Sequence, residues 1–244
     1  MKIIISEDKY KAGKEAALKG AEIISKSIKT KGQAHILVAT GASQFEMLEN
    51  LVKEPIEWPK VTAFHLDEYI GLPFAHPASF RRYLKERFVD KVNLNEFIYI
   101  NGEKDPAEEC SRISENISEV KIDVAFVGIG ENAHLAFNDP PADFSTENPY
   151  IVVQLTEECR KQQLGEGWFN TLDEVPQKAI SISVAQIMKS NSIICTVPDL
   201  RKARAVKLAL ENGITPDIPA SILKNHKAVW IYLDKDSSSL LKDK

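Results

Sequence analysis

The segment DVAFVGIG at residues 123–130 joins a short apolar run to a turn that contains two glycines. The run at 123–127 is continuous and short, which is typical of a strand buried on both faces of a parallel sheet. Glycine at the end of such a strand lets the backbone approach a ligand closely. The segment therefore predicts a parallel strand with a ligand site beyond its carboxyl end.

The alternation of strand and helix continues on both sides of this segment. The predicted strands are 2–6, 35–39, 61–66, 97–100, 123–127, 150–155, 179–184, 192–197 and 228–233. The predicted helices are 9–31, 45–53, 79–88, 106–118 and 199–210. This order indicates an α/β fold with a single doubly wound, mostly parallel sheet and helices on both faces. No linker rich in Gly, Ser or Pro interrupts residues 1–244, so we expect one domain with a polar tail at about 235–244.

The composition is that of an ordinary globular protein, with 43% hydrophobic residues and a net charge of −4 over 244 residues. A mildly acidic chain lacks the positive field that general nucleic-acid binding needs, although a local basic pocket can still hold a small anion. No apolar run approaches the roughly 20 residues that span a bilayer, and the first residues are too acidic for a secretory signal. Cys110, Cys159 and Cys195 are far apart, which suggests a reducing compartment. We expect a cytoplasmic protein that binds neither nucleic acid nor membrane.

Four strand-end segments carry candidate chemistry, and the first is Thr40-Gly41-Ala42-Ser43. Its glycine permits an open turn, and its two hydroxyls with the N–H groups at the start of the next helix suit a phosphate. Ser43 would serve equally well as a simple helix cap. Neither GK[ST] nor GxGxxG is present, so a dinucleotide is not expected.

The second segment places two adjacent carboxylates, Asp67 and Glu68, directly after a hydrophobic strand. In a cleft, burial and a neighbouring negative charge raise the pKa of a carboxyl group toward the value of a useful general base. The alternative is a solvated loop in which Asp67 caps a helix.

The third and fourth segments supply an imidazole and a cation. His134 follows the glycine turn and Asp139 lies five residues further on; a carboxylate bound to one imidazole nitrogen leaves the other free for proton transfer. No second histidine lies at ligand spacing, so we expect no metal. Arg201 and Lys202 stand at the start of a predicted helix, where cations oppose the macrodipole and an anionic ligand would explain them. Solvated basic residues are the alternative.

Together these segments resemble the glucosamine-6-phosphate deaminase (isomerase) family. Residues 67–80 resemble its DEYxGLxxxHPxSY signature, residues 128–140 resemble GIGxDGHIAFNEP, and residues 40–43 resemble its TGxT phosphate turn. The resemblance runs in order from about residue 2 to residue 233. The related 6-phosphogluconolactonases share the glycine-rich strand end and the histidine but lack the FNxP continuation seen at 137–140.

The resemblance implies a doubly wound α/β fold and conversion of glucosamine 6-phosphate and water to fructose 6-phosphate and ammonia, without metal or cofactor. It implies that His134 assists opening of the sugar ring, that Asp67 moves a proton between C2 and C1, and that Asp139 orients His134. We expect the substrate and its phosphate to be bound by Thr40, Gly41, Ala42, Ser43, Glu68, Gly130, Asn132, Arg160 and Lys202.

The sequence departs from the family pattern near the histidine. Asn132 and Ala133 replace the usual Asp and Gly, and Asp139 is one methylene shorter than the usual Glu. Asn132 cannot act as an acid or base, so carboxylate support for His134 must come from Asp139. Arg160 is an offset stand-in for the family's phosphate-binding arginine. Three alternatives stay open: another amino-sugar phosphate such as galactosamine 6-phosphate, a 6-phosphogluconolactonase, and a non-catalytic sugar-phosphate sensor. A homo-oligomer is compatible with the sequence.

Overall fold

The computed structural model describes residues 1–242 of the chain. Its strands are β1 (Lys2–Ile5), β2 (Ala34–Val38), β3 (Val61–His65), β4 (Asp67–Tyr69), β5 (Glu96–Ile98), β6 (Val124–Val127), β7 (Tyr150–Gln154), β8 (Lys178–Ile182), β9 (Ile193–Val197) and β10 (Val229–Leu233). Its α-helices are α1 (Lys9–Lys31), α2 (Phe45–Leu51), α3 (Phe80–Arg87), α4 (Pro106–Ser118), α5 (Glu157–Gly165), α6 (Val184–Met188) and α7 (Ala203–Glu211).

Seven strands form a parallel central sheet in the order β1-β10-β9-β6-β2-β3-β5. Every residue of β6 and β9 is buried, as their continuous apolar runs predict. Strands β2 and β6 are neighbours in this order. After β2 the chain adds β3 and β5 on one side of the pair, and after β6 it adds β9 and β10 on the other side. The carboxyl ends of β2 and β6 therefore form the topological switch point, where ligands bind in open α/β sheets.

Helices cover both faces of the central sheet. One core packs α1, α2 and α3 against the sheet, and the other packs α4, α6 and α7 against the opposite face. Helix α1 matches its prediction of 9–31 because Asp8 caps its first turn and Gly32 ends it in a left-handed conformation. The predicted α/β fold with a mostly parallel central sheet is confirmed.

Two of the predicted strands do not join that sheet, so the expectation of a single sheet needs correction. Strands β7 and β8 pair antiparallel with each other, and β8 pairs antiparallel with the unpredicted β4. Strand β7 alternates between buried and more exposed residues, which suits an antiparallel sheet with one open face. This small sheet packs on the central sheet beside α4 through Tyr150, Ile180 and Ile182.

Two further differences concern polar segments. The irregular stretch after residue 155 contains α5, which the sequence analysis did not predict. The expected polar tail is packed at its start, because Ser237 is buried and bonds Asp234; residues 243–244 lie outside the described part. Within residues 1–242, helices long and apolar enough to cross a membrane are absent.

Candidate active site

A cleft with about 650 Å³ of empty space opens at the carboxyl ends of β2, β3, β6 and β9. Asp67, His134 and Lys202, which are distant in the sequence, all line it. The fold thus brings a carboxyl group, an imidazole and an ammonium group to one switch point.

The segment 40–43 lines the β2 side of the cleft. Gly41 has φ +90°, a conformation that favours glycine, and its carbonyl accepts a hydrogen bond from the Tyr83 hydroxyl at 3.0 Å. The Ser43 hydroxyl makes no helix-cap hydrogen bond and instead accepts one from Gln44 Nε2 at 3.1 Å. Ser43 is therefore available to a ligand rather than committed to its own backbone.

The glycines after β6 allow this end of the cleft to close tightly. A Cβ at Gly130 would lie 2.2 Å from the His134 ring, and a Cβ at Gly128 would lie 2.8 Å from Ser43 Oγ. Neither contact is sterically acceptable. The two glycines therefore let the imidazole and the 40–43 turn approach the strand end.

Asp67 follows β3 and is 6% exposed. Within residues 1–242 its side chain makes a single hydrogen bond, accepted by Oδ1 from the Thr40 hydroxyl at 3.4 Å. Burial and the neighbouring charge of Glu68 raise the pKa of Asp67 to about 7. A carboxyl group with such a pKa both takes up and releases a proton near neutral pH.

Glu68 lies outside the cleft, although the sequence analysis placed it among the substrate-binding residues. Both of its carboxylate oxygens are occupied by donors at the start of α3, including the Ser79 hydroxyl at 3.0 Å and the Arg81 backbone N–H at 2.7 Å. Burial raises its pKa while these donors oppose the shift. Glu68 anchors α3 to β4 and contributes its negative charge to the surroundings of Asp67.

His134 and Asp139 form a hydrogen-bonded pair, with 3.1 Å between Nδ1 and Oδ1. Burial alone would raise the pKa of Asp139, but hydrogen bonds from His134, Asn132 and Thr156 lower it to about 2. The ionised carboxylate makes Nδ1 the protonated nitrogen and leaves Nε2 free for a substrate. Asn132 reaches the cleft only indirectly, because its amide donates to Asp139 at 2.9 Å.

Cys159 completes the only group among residues 1–242 that combines three metal-ligand types, with its ligand atom and those of His134 and Asp139 within 4.8 Å of one another. Burial raises the pKa of the Cys159 thiol far above its usual range, so the thiolate that metals prefer is disfavoured. The oxygens of Asp139 already accept four hydrogen bonds. The cluster has the features of a hydrogen-bonded support for the imidazole, and a metal-free site stays a prediction.

Lys202 follows β9 and is 6% exposed. Burial lowers the pKa of its ammonium, opposed by the charges of Glu166 and Glu131. Among the described residues no carboxylate lies within 4.0 Å of it, whereas the neighbouring Arg201 lies 3.4 Å from Glu131. A buried cation without a close carboxylate is suited to an anionic ligand.

Arg160 does not line the cleft. Its guanidinium donates to the backbone carbonyls of Leu172 and Val175, where it holds the segment after α5. The expectation that Arg160 contacts a phosphate therefore lacks the required geometry. The second cation that lines the cleft is Arg201.

Helix α5 and the residue that ends it bring three unpredicted polar side chains into the cleft: Gln162, Gln163 and Glu166. The signal for this helix was present in Thr156, which caps it by accepting from the Cys159 N–H, and in the two glutamates that follow. The helix is mostly polar, which hid it from a search for apolar periodicity.

Among the residues that the structure describes, three other than glycine have positive φ, and they flank the cleft: Ala133 (69°), Ala136 (50°) and Asp199 (80°). Such conformations cost roughly 1–2 kcal/mol each for residues with a Cβ. Ala133 stands where the resembled family has glycine. Strained backbone is concentrated at functional sites in proteins, and here it lies beside the imidazole and the ammonium.

Acid–base side chains at the switch point of a parallel sheet are typical of the active sites of α/β enzymes. Comparison with known proteins gives the family. The profile of the family described as Glucosamine-6-phosphate isomerases/6-phosphogluconolactonase matches residues 7–231. The chain belongs to this family.

Curated relatives extend along the whole chain. A glucosamine-6-phosphate deaminase from Listeria monocytogenes (serotype 4a, strain HCC23) is 36% identical over 244 residues, which are 99% of this chain and 100% of that protein. One from Thermoanaerobacter sp. (strain X514) is 35% identical over 100% of this chain and 96% of its own length.

Solved structures agree on the fold. A monomeric glucosamine-6-phosphate deaminase superposes with a TM-score of 0.89 at 30% identity, covering 98% of this chain and 100% of that one. A 6-phosphogluconolactonase from Thermotoga maritima gives a TM-score of 0.78 at 16% identity, covering 96% of this chain and 98% of its own. The second likeness concerns the fold alone.

Proposed function

We propose that this protein is an amino-sugar-phosphate isomerase/deaminase that converts glucosamine 6-phosphate, or a close epimer, and water to a ketose 6-phosphate and ammonia. The observation that carries the proposal is the meeting of Asp67 with the His134–Asp139 pair in one cleft. An aldose-to-ketose shift needs these two separate acid–base groups. Relatives named glucosamine-6-phosphate deaminase support the same reaction.

His134 opens the sugar ring in this proposal. Its free Nε2 takes the proton from the C1 hydroxyl and returns a proton to the ring oxygen, which gives the open-chain aldehyde. Asp139 holds Nδ1–H, so the imidazole keeps its tautomer throughout. Asp139 is thus a positioning residue, and the imidazole is the group that meets the sugar.

Asp67 then carries one proton between two carbons. Its carboxylate removes the proton from C2 while the aldehyde oxygen O1 takes up a proton, which gives an enolamine. Delivery of the same proton to C1, with loss of one proton from the amino nitrogen, then leaves a C1 hydroxyl and an imine at C2. Water adds to that imine, and ammonia leaves as the C2 ketone forms. A carboxyl pKa of about 7 suits both directions of the transfer near neutral pH.

The phosphate serves as a remote handle. In our proposal the 40–43 turn and Lys202 bind it, and its binding energy positions C1 and C2 near the acid–base groups. Arg201 lies close enough to contribute a second positive charge. Both side chains of its ion pair with Glu131 are partly exposed to solvent, so that ion pair is weak and Arg201 can exchange Glu131 for the phosphate.

The proposal is tested by ammonia release from glucosamine 6-phosphate and galactosamine 6-phosphate, with 6-phosphogluconolactone hydrolysis measured in parallel. We expect ammonia and a ketose phosphate from at least one amino sugar. Lactone hydrolysis without ammonia would assign the chain to the other activity of its family, and binding without turnover would identify a sensor.

Gel filtration in the same preparation decides between a homo-oligomer and a monomer, the state named for one solved relative. Fractionation of the source cells tests our cytoplasmic assignment.

A further inference from the structure

Glu166 is a carboxylate of the cleft that the proposed reaction does not use. Its Oε2 is fully buried and has no hydrogen-bond partner among residues 1–242. The other oxygen has a single long contact, 3.5 Å from Gln162 Nε2. Burying a carboxylate oxygen without a hydrogen-bond donor costs free energy. A ligand that donates a hydrogen bond to this oxygen would therefore bind favourably here.

Glu166 lies at the Lys202 end of the cleft. A Cβ placed on Gly41 would come within 3.9 Å of Glu166 Oε2, so the carboxylate stands over the 40–43 turn. Its charge is also the main favourable influence on the Lys202 ammonium. The carboxylate therefore faces the part of a bound sugar phosphate that is nearest to the phosphate.

The chemistry of that part of the ligand decides what Glu166 can bind. A phosphate dianion has no proton to donate, and a carboxylate can only accept. The ring oxygen on C5 is an ether in the closed sugar and also has no proton. In the closed sugar, which is the form that binds before ring opening, the C4 hydroxyl is therefore the donor nearest to the phosphate-bearing carbon; a C5 hydroxyl appears only after the ring has opened.

We infer that Glu166 is a specificity-determining residue that accepts a hydrogen bond from the C4 hydroxyl of the substrate. This inference rests on the proposed function and deepens it, because it says which sugars the cleft accepts. A site built to bond a hydroxyl rejects an analogue that lacks it far more strongly than an apolar pocket rejects a missing methylene.

The test is a double-mutant cycle between the protein and the substrate. Glucosamine 6-phosphate and its 4-deoxy analogue are compared on the unaltered protein and on Glu166→Ala. We expect the missing hydroxyl to lower kcat/KM about 100-fold in the unaltered protein, and less than about threefold in Glu166→Ala. Glu166→Gln, which keeps an acceptor oxygen, should restore part of the discrimination.

Glu158→Ala is the matched control, because Glu158 is an exposed glutamate in the first turn of α5, the helix that Glu166 ends. Glu158 borders a neighbouring surface cavity rather than the cleft. It should leave the 100-fold discrimination intact. Equal deoxy penalties with and without Glu166 would overturn the inference. Tighter phosphate binding in Glu166→Ala with an unchanged deoxy penalty would also overturn it, since Glu166 would then act only through its charge.

Failure of the proposed function would look different. If glucosamine 6-phosphate binds but releases no ammonia, the same cycle is measured by calorimetry as dissociation constants. Coupling between Glu166 and the C4 hydroxyl in binding would then support the inference while the reaction assignment fails. Absence of coupling in binding would remove the inference as well.

Discussion

Asp67 and Asp139 are the same residue type at the carboxyl ends of β3 and β6, on either side of β2, yet their surroundings are opposite. Asp139 accepts four hydrogen bonds, which lower its pKa to about 2. Asp67 accepts one long hydrogen bond in the described part of the chain, and burial raises its pKa to about 7. A carboxylate that accepts many hydrogen bonds from the protein is therefore suited to positioning a neighbour. A buried carboxylate with few such hydrogen bonds is suited to proton transfer with the substrate.

The same contrast extends to other groups in the cleft. Lys202 is buried without a carboxylate within 4.0 Å among the described residues, Glu166 Oε2 is buried there without a hydrogen-bond donor, and both side chains line the cleft. Glu68 and Arg160 are fully engaged by other parts of the chain and do not line it. Loss of a group without close partners should change chemistry or affinity directly, whereas loss of a partnered group should act through its neighbour.

The largest effect is expected for Asp67→Asn. The amide cannot take up a proton, so kcat should fall about 1,000-fold or more, while the substrate dissociation constant changes by less than about threefold because the phosphate contacts remain. Ammonia release and calorimetric binding measure the two quantities. Near-normal turnover would show that the proton carrier lies elsewhere.

The two aspartates should have opposite effects on stability. The pKa of Asp67 is raised in the folded protein, so its favourable contribution is complete below about pH 4 and is lost as pH rises through about 7. Asp67→Asn should therefore be more stable than the unaltered protein at pH 8, by on the order of 3 kcal/mol, and nearly equal at pH 4.

Asp139 provides the comparison in the same urea-unfolding experiment. Its pKa is lowered, so its contribution is present above about pH 4 and is lost as pH falls through about 2. Asp139→Asn should be less stable than the unaltered protein at pH 8. If both variants shift in the same direction, the contrast between the two carboxylates is wrong.

Asp139→Asn should also lower activity, by about 100-fold in kcat, because the imidazole loses the acceptor that fixes its tautomer. Asp139→Glu, which restores the carboxylate usual in the resembled family, should recover much of that loss. The pH profile of kcat separates orientation from simple structural damage, since a displaced His134 changes the shape of the profile. An unchanged profile with proportionally less folded protein would indicate a structural role only.

The alternation of apolar runs and amphipathic segments predicted most of the fold. It predicted the bounds of α1 because a capping aspartate and a terminating glycine frame the helix. It did not predict α5, whose buried side chains are only Cys159 and Gln163, so tertiary contacts rather than apolar periodicity decide that helix. The small sheet was also missed, because β4 is three residues long and its pairing with β8 is set by contacts distant in the sequence.

The candidate site could be predicted where it depends on strand ends. Asp67, His134 and Lys202 meet because carboxyl ends of parallel strands converge at one edge of the sheet. The strand pattern alone could not tell Asp67 and Glu68 apart, because successive strand residues point to opposite sides and the sequence does not say which side holds the cleft. The family resemblance gave Asp67 the proton transfer, but it led to the wrong expectation that Glu68 also binds the substrate. The place of Arg160 depends on the course of the chain after α5, which no local pattern encodes.

Lys202→Ala is expected to have the smallest effect and to sharpen the contrast most. Lys202, like Asp67, has no oppositely charged side chain within 4.0 Å among the described residues, but in our proposal it faces the phosphate rather than the reacting carbons. We therefore expect KM to rise about 30-fold with kcat within a few fold. Arg204→Ala removes a nearby exposed cation on α7 and should change KM by less than about twofold. Steady-state rates for both variants, with inorganic phosphate as a competitor, provide the measurement. A fall in kcat with unchanged KM would place Lys202 at the reacting end of the cleft. The assignment of Lys202 to substrate affinity and of Asp67 to chemistry would then be wrong.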